Sequence, residues 1–155
     1  MPGGSISSLL KKFGPLDEEL IKTYAKQILE GLVYLHKNKI VHRDIKGANI
    51  LVDTAGRAKL ADFGCSKIHD TQDLNTMSGT PFWMAPKVMT QKGHGRKADI
   101  WSFACTIIEM ALGGHPWGDQ YTVVAAFIFD VLSSHKVPLI PDTLSADAKD
   151  FLSLC

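Results

Sequence analysis

The sequence has no long apolar run, no surplus of charge of either sign and few cysteines. Its longest uninterrupted apolar stretch, Val123 to Phe129, is closed by Asp130. It falls far short of the roughly 20 residues that a bilayer demands, so no membrane span is expected. Seventeen basic residues stand against sixteen acidic ones, and no basic run exceeds a pair such as Lys11-Lys12. That balance offers no electrostatic footprint for nucleic acid or for a charged membrane surface. Cys65, Cys105 and Cys155 are an odd number without paired-ligand spacing. That pattern suits reduced thiols better than disulfides or zinc, and the cytosol or nucleus is expected. The first residues show no basic region leading into an apolar one, so no secretory leader is expected, and there is no repeat or low-complexity tract.

What is present is enough apolar matter for one core. A chain of 155 residues with 45% hydrophobic content buries about two thirds of its unfolded surface, and a single domain over 1–155 is expected. Ser5 can cap a short helix over 6–13 that Gly14 and Pro15 stop. Asp17 caps the next, with Glu18 and Glu19 at its positive end. There Leu20, Tyr24, Ile28 and Leu32, beside Ile21, Ala25, Leu29 and Val33, recur at helical spacing as one broad apolar face. Residues 50–52 and 58–61, separated by Asp53-Thr54-Ala55-Gly56, read as a small hairpin. From Lys97 to Leu112 apolar residues occur on nearly every side, which predicts a helix surrounded by protein. Gly113-Gly114 and Pro116 end it. A further apolar helix is predicted from about Tyr121 to Leu132, and a last one after its cap Ser145, with Asp147 in its first turn. The expected class is mainly α with a few short strands.

The chemistry is concentrated in His42-Arg43-Asp44-Ile45-Lys46-Gly47-Ala48-Asn49 and in Asp62-Phe63-Gly64 after the hairpin. Moving a phosphoryl group needs little covalent help from a protein. It needs an aligned acceptor hydroxyl, neutralised phosphate oxygens and held Mg²⁺. Asp44 can accept the hydroxyl proton, Lys46 can lie against the transferring phosphate, and Asn49 with Asp62 can supply hard oxygen ligands. Either tripeptide alone is a weak signal. Seven fixed identities at set spacing (Arg43, Asp44, Lys46, Asn49, Asp62, Phe63, Gly64) arise by chance at roughly 10⁻⁹ per window, which sets aside ordinary turn charges.

On these residues the whole chain resembles the C-terminal lobe of a protein kinase. The block Gly79-Thr80-Pro81-Phe82-Trp83-Met84-Ala85-Pro86 and Asp99-Ile100-Trp101-Ser102 make it similar to mitogen-activated protein kinase kinase kinases. Gly3-Gly4-Ser5-Ile6 and Ile140-Pro141-Asp142 are similar to the plant nucleus- and phragmoplast-localised type. The resemblance implies ATP and Mg²⁺ as cofactors and a protein substrate, a MAP kinase kinase, with Lys46 pointing to serine or threonine acceptors. It implies that Thr80 bonds to Asp44 and Lys46, that Leu51 floors the adenine, and that Ser5 touches ribose or merely caps its helix. Thr76, with Ser78 next, becomes the candidate phosphosite, and Arg43 would grip that phosphate bidentately. His42 and Phe63 are implied as packing pieces resting on Asp99, a carboxylate whose expected partners are backbone amides of the loop. The five other histidines share no metal-ligand spacing.

The departures from the family pattern are informative. Lys87 stands where the family places a glutamate, and no Gly-x-Gly-x-x-Gly or strand lysine occurs among the 155 residues, so the nucleotide's cover, the N-terminal lobe, is expected to be missing. Two readings follow: a truncated part of an ATP-dependent serine/threonine kinase, inactive alone, or a non-catalytic kinase-lobe module that binds a partner.

Overall fold

A computed structural model describes residues 3–68, 80–90 and 95–155. Helix α1 (Ile6–Phe13) begins where Ser5 Oγ accepts from the Ser8 amide, and α2 (Glu18–Lys37) where Asp17 accepts from Leu20. Each cap satisfies an amide that the first turn leaves without an intrahelical partner. The four-residue link between them docks on the far end of α4 (Arg96–Leu112), where Leu16 N donates to Met110 O at 3.0 Å. Gly113, at φ 75°, closes α4; a Cβ there would lie 2.6 Å from Pro15 N, so only glycine suits both the turn and the contact.

Strands β2 (Ile50–Val52) and β3 (Ala58–Leu60) form the expected hairpin, pairing Ile50 with Leu60 and Val52 with Ala58. Segment 3–5 runs along its other edge: Val52 N donates to Gly4 O at 2.9 Å, and Ser5 bridges Leu51. A second antiparallel pair, β1 (Ile40–Val41) with β4 (Lys67–Ile68), flanks the loop that carries residues 42–49. Two residues per strand are too few to show a period, which is why the sequence did not announce it.

Helix α4 is the axis. Phe103, Ile107, Ile108 and Met110 join α1, α2 and the hairpin in one core, while Ala98 belongs to a second core with Met84, Val88, Trp117, Phe127 and Val131. Its environment is protein on nearly every side, as its sequence requires. Two expectations need correction. Val33 is 51% exposed, since the buried stripe of α2 narrows to Ile21, Tyr24, Ile28, Leu32 and Leu35. The helix expected from Tyr121 is α5, over Val124–Ser134. Tyr121 stays outside because its ring packs against Trp117 and Phe127 and its hydroxyl donates to Asp130 at 2.5 Å. Pro86 also opens a short helix, α3 (Pro86–Met89), on which Lys87 is exposed, so that position buries no charge. The last helix, α6 (Ala146–Ser153), is capped by Ser145, which is itself tied to Glu18 at the start of α2.

Candidate active site

The loop between β1 and β2 is anchored from below by one carboxylate. Asp99 is fully buried, and its two oxygens accept the amides of His42 and Arg43, each at 2.9 Å, while His36 Nε2 lies 2.8 Å from Oδ2. The partners expected for Asp99 are thus present, and His36 is added to them. Arg43 has a left-handed backbone, φ 74°, as does Asp62 at φ 60°. Such conformations cost a non-glycine residue about 1–3 kcal/mol and persist only where surroundings enforce them. The Asp99 bond to the Arg43 amide does so on one side.

His42 stitches the loop to the residues before Phe63. The Asp44 amide donates to Nδ1 at 3.4 Å, so Nδ1 must accept; Nε2 then carries the proton and donates to Ala61 O at 3.1 Å. The ring is neutral, and burial holds its pKa below the usual histidine value, although the charges of Asp99, Asp44 and Asp62 pull the other way. Both Asp44 and Asp62 therefore act on one ring. Phe63 packs on that ring, with centroids 5.1 Å apart, and the Ala61 amide donates to Asn49 O at 2.9 Å. Asn49 and Asp62 sit on adjoining stretches of backbone.

Three side chains meet around the Asp44 carboxylate. Oδ1 accepts from the Thr80 amide at 3.0 Å and its hydroxyl at 2.8 Å. Oδ2 accepts from Asn49 Nδ2 at 2.7 Å and pairs with Lys46 Nζ at 3.0 Å, and Lys46 also donates to Thr80 Oγ1. Burial works against the ionised carboxyl, yet the bonds from Lys46, Thr80 and Asn49 outweigh it and hold the pKa below the usual aspartate value. The group is a carboxylate at neutral pH.

Among the described residues there is no cluster of three or more His, Cys, Asp or Glu able to hold a metal. The donor chemistry still fits Mg²⁺. Asn49 spends its amide nitrogen on Asp44, through the carboxylate and the main-chain oxygen at 2.8 Å, which leaves its carbonyl oxygen for a cation. Asp62 is exposed and engages only the Gly64 amide, at 3.3 Å, among the described residues. One amide oxygen and one open carboxylate are the hard ligands that Mg²⁺ takes along with water and phosphate.

The remaining expected site residues fall as follows. Leu51 is partly buried in the hairpin beside Ser5, whose hydroxyl is engaged as the α1 cap and with Ser8 Oγ at 2.9 Å. Arg43 is buried, at 3% exposure. Thr76 and Ser78 lie outside the described residues. Sequence reasoning missed Glu109, a buried α4 carboxylate that accepts from Ser7 Oγ at 2.8 Å and from Gly47 N and Trp83 Nε1 at 2.9 Å each. Burial raises its pKa, and those three bonds oppose the rise. The one available signal was an acid placed among apolar neighbours, Ile107, Ile108 and Met110.

A left-handed aspartate before a phenylalanine that packs on the His42 ring, and a carboxylate held by lysine, threonine and asparagine, thus stand on neighbouring stretches of chain. All of the chain, residues 1–155, matches the protein kinase domain, and the chain belongs to that family. It is 57% identical over its whole length to mitogen-activated protein kinase kinase kinase ANP1 of Arabidopsis thaliana, covering 24% of that protein. It is 55% identical to mitogen-activated protein kinase kinase kinase A of Dictyostelium discoideum, again over its whole length but 17% of that protein. Against human mitogen-activated protein kinase kinase kinase 3 the identity is 48% over 98% of the chain and 25% of the relative. The chain thus spans a quarter or less of the relatives' length.

Proposed function

We propose that these residues are the base-bearing half of a serine/threonine kinase of the mitogen-activated protein kinase kinase kinase type, which moves the terminal phosphoryl group of ATP to a protein hydroxyl. The observation that carries this is the Asp44 carboxylate, ionised and fixed by Thr80, Asn49 and Lys46 at once. Asp44 orients the acceptor hydroxyl and takes its proton as the new P–O bond forms and the bond to the nucleotide diphosphate breaks. Lys46, already between Asp44 and Thr80, presents its ammonium to the transferring phosphate. Asn49 and Asp62 would hold Mg²⁺, which when bound neutralises phosphate oxygens. Leu51 provides the apolar floor for adenine, and Ser5 lies beside it at the ribose position.

Arg43 takes the phosphate of a modified Thr76 or Ser78 through charge-assisted hydrogen bonds. The relatives' names support a MAP kinase kinase as the substrate, and the cytoplasm or nucleus is proposed as the place of action from three cysteines that carry no paired spacing.

The test is a chimera that joins the preceding kinase-domain segment of the Arabidopsis relative to this chain. With Mg-ATP it phosphorylates a protein hydroxyl, and Asp44→Asn removes that activity. The 155 residues alone, which contain no glycine-rich phosphate cover, show no detectable transfer. If the chimera folds and binds Mg-ATP yet transfers nothing, the non-catalytic binding module replaces this reading.

A further inference from the structure

Glu109 is 4% exposed and carries a charge-bearing group into the core. Among the described residues no lysine or arginine forms an ion pair with it. Its partners are three neutral donors from three separate segments. Ser7 of α1 reaches Oε1, while the Gly47 amide and the Trp83 indole share Oε2. The approach of the loop is close: a Cβ on Gly47 would stand 2.5 Å from Glu109 Oε1 and 2.9 Å from Ser7 Oγ. A buried carboxylate is less favourable than an apolar side chain of similar volume. What it adds is direction, because two oxygens dictate where three donors must lie.

Those donors are not scattered. Gly47 follows Lys46 directly, and Trp83 ends the short turn Pro81–Trp83 that follows Thr80. Lys46 and Thr80 are the two residues that meet on Asp44 from different stretches of chain, separated by the segment that includes Asp62. Something must set one stretch against the other. We propose that Glu109 is a positioning residue for this site: it holds the loop at Gly47 and the turn at Trp83 on one carboxylate, so that Lys46 and Thr80 converge on Asp44. The proposal rests on the phosphoryl-transfer reading for its consequence, though its geometry does not.

Two measurements test it. Glu109→Gln keeps the shape but turns one of the two accepting oxygens into a donor, so either Ser7 or the Gly47 and Trp83 pair loses its acceptor. In the 155-residue chain, hydrogen exchange at the Gly47 amide is expected to accelerate about tenfold or more, with the amides of α2 unchanged. In the chimera, kcat is expected to fall about tenfold while the KM for ATP stays within about twofold, as misalignment rather than lost binding requires. Trp83→Phe, which removes one donor and leaves a ring, should act in the same direction. Combined with Glu109→Gln it should add less than its separate effect. It also serves if Glu109→Gln does not fold.

Unchanged exchange at Gly47 overturns the proposal, as does uniform acceleration that reaches α2 or a loss confined to KM. A chimera without activity when Glu109 is intact refutes the proposed function instead, and exchange at Gly47 then decides the positioning role alone.

Discussion

Thr80 grips Asp44 Oδ1 twice, through its amide at 3.0 Å and its hydroxyl at 2.8 Å. The amide bond places the chain and the hydroxyl bond orients the carboxylate, so they can be separated by substitution. Thr80→Val keeps the first and deletes the second, and also strips Lys46 of an acceptor. A fall in kcat of about tenfold to a hundredfold is expected in the active chimera, with Thr80→Ser retaining most of the rate. Steady-state kinetics check both variants; equal rates for serine and valine would remove the hydroxyl from the mechanism.

Asp99→Ala tests the support beneath the loop. It leaves the buried amides of His42 and Arg43 without their acceptor, at about 1–3 kcal/mol each. A loss of about 3 kcal/mol in unfolding free energy is expected from urea titration. Asp99→Asn, with one accepting oxygen left, should lose less. No measurable change would mean that water replaces the carboxylate.

Acid should weaken the fold in two stages. His42 has a folded-state pKa below its ordinary value of 6.5, so the unfolded chain takes the proton first. Its contribution is whole above about pH 6.5 and is lost as the pH falls toward the folded value. Asp44 is also lowered, from 3.8, and its contribution goes only in stronger acid. Glu109 has the opposite sign: its raised pKa favours the fold below 4.5, and that contribution is lost as the pH rises through the folded value. Unfolding free energy measured from about pH 7.5 to about pH 5.5 should therefore decline less in His42→Gln than in the parent. An identical decline would assign the effect to His115, whose pKa burial also lowers.

Phe63 remains 48% exposed although it packs on His42. Covering it, together with the partly buried Leu51, removes apolar surface from water at about 25 cal/mol per Å². The chimera is expected to melt at a higher temperature than the 155-residue chain by differential scanning fluorimetry. Equal melting temperatures would mean that the added segment does not rest on this surface.

The caps were legible because a cap is a local event: Ser5, Asp17 and Ser145 each bond an amide three residues on, so neighbours in sequence suffice. Asp44, Lys46 and Asn49 were singled out by their spacing, and the structure brings Lys46 and Asn49 onto the Asp44 carboxylate. Tyr121 was misplaced because apolar character reads alike in a helix and in a ring packed beside one. Lys87 was legible only as a departure from the family pattern, and its exposure on α3 was a matter of tertiary structure.

The sequence by itself determined the longer helices, the hairpin and which polar residues the loop carries, since spacing and side-chain chemistry are properties of neighbouring residues. Tertiary structure alone decided that His36 joins the loop amides on Asp99, and that Ser7, Gly47 and Trp83 share Glu109. Those partners are far apart along the chain. A buried carboxylate accepts whatever donors the packing of α4 brings to it, and no local pattern records which they are.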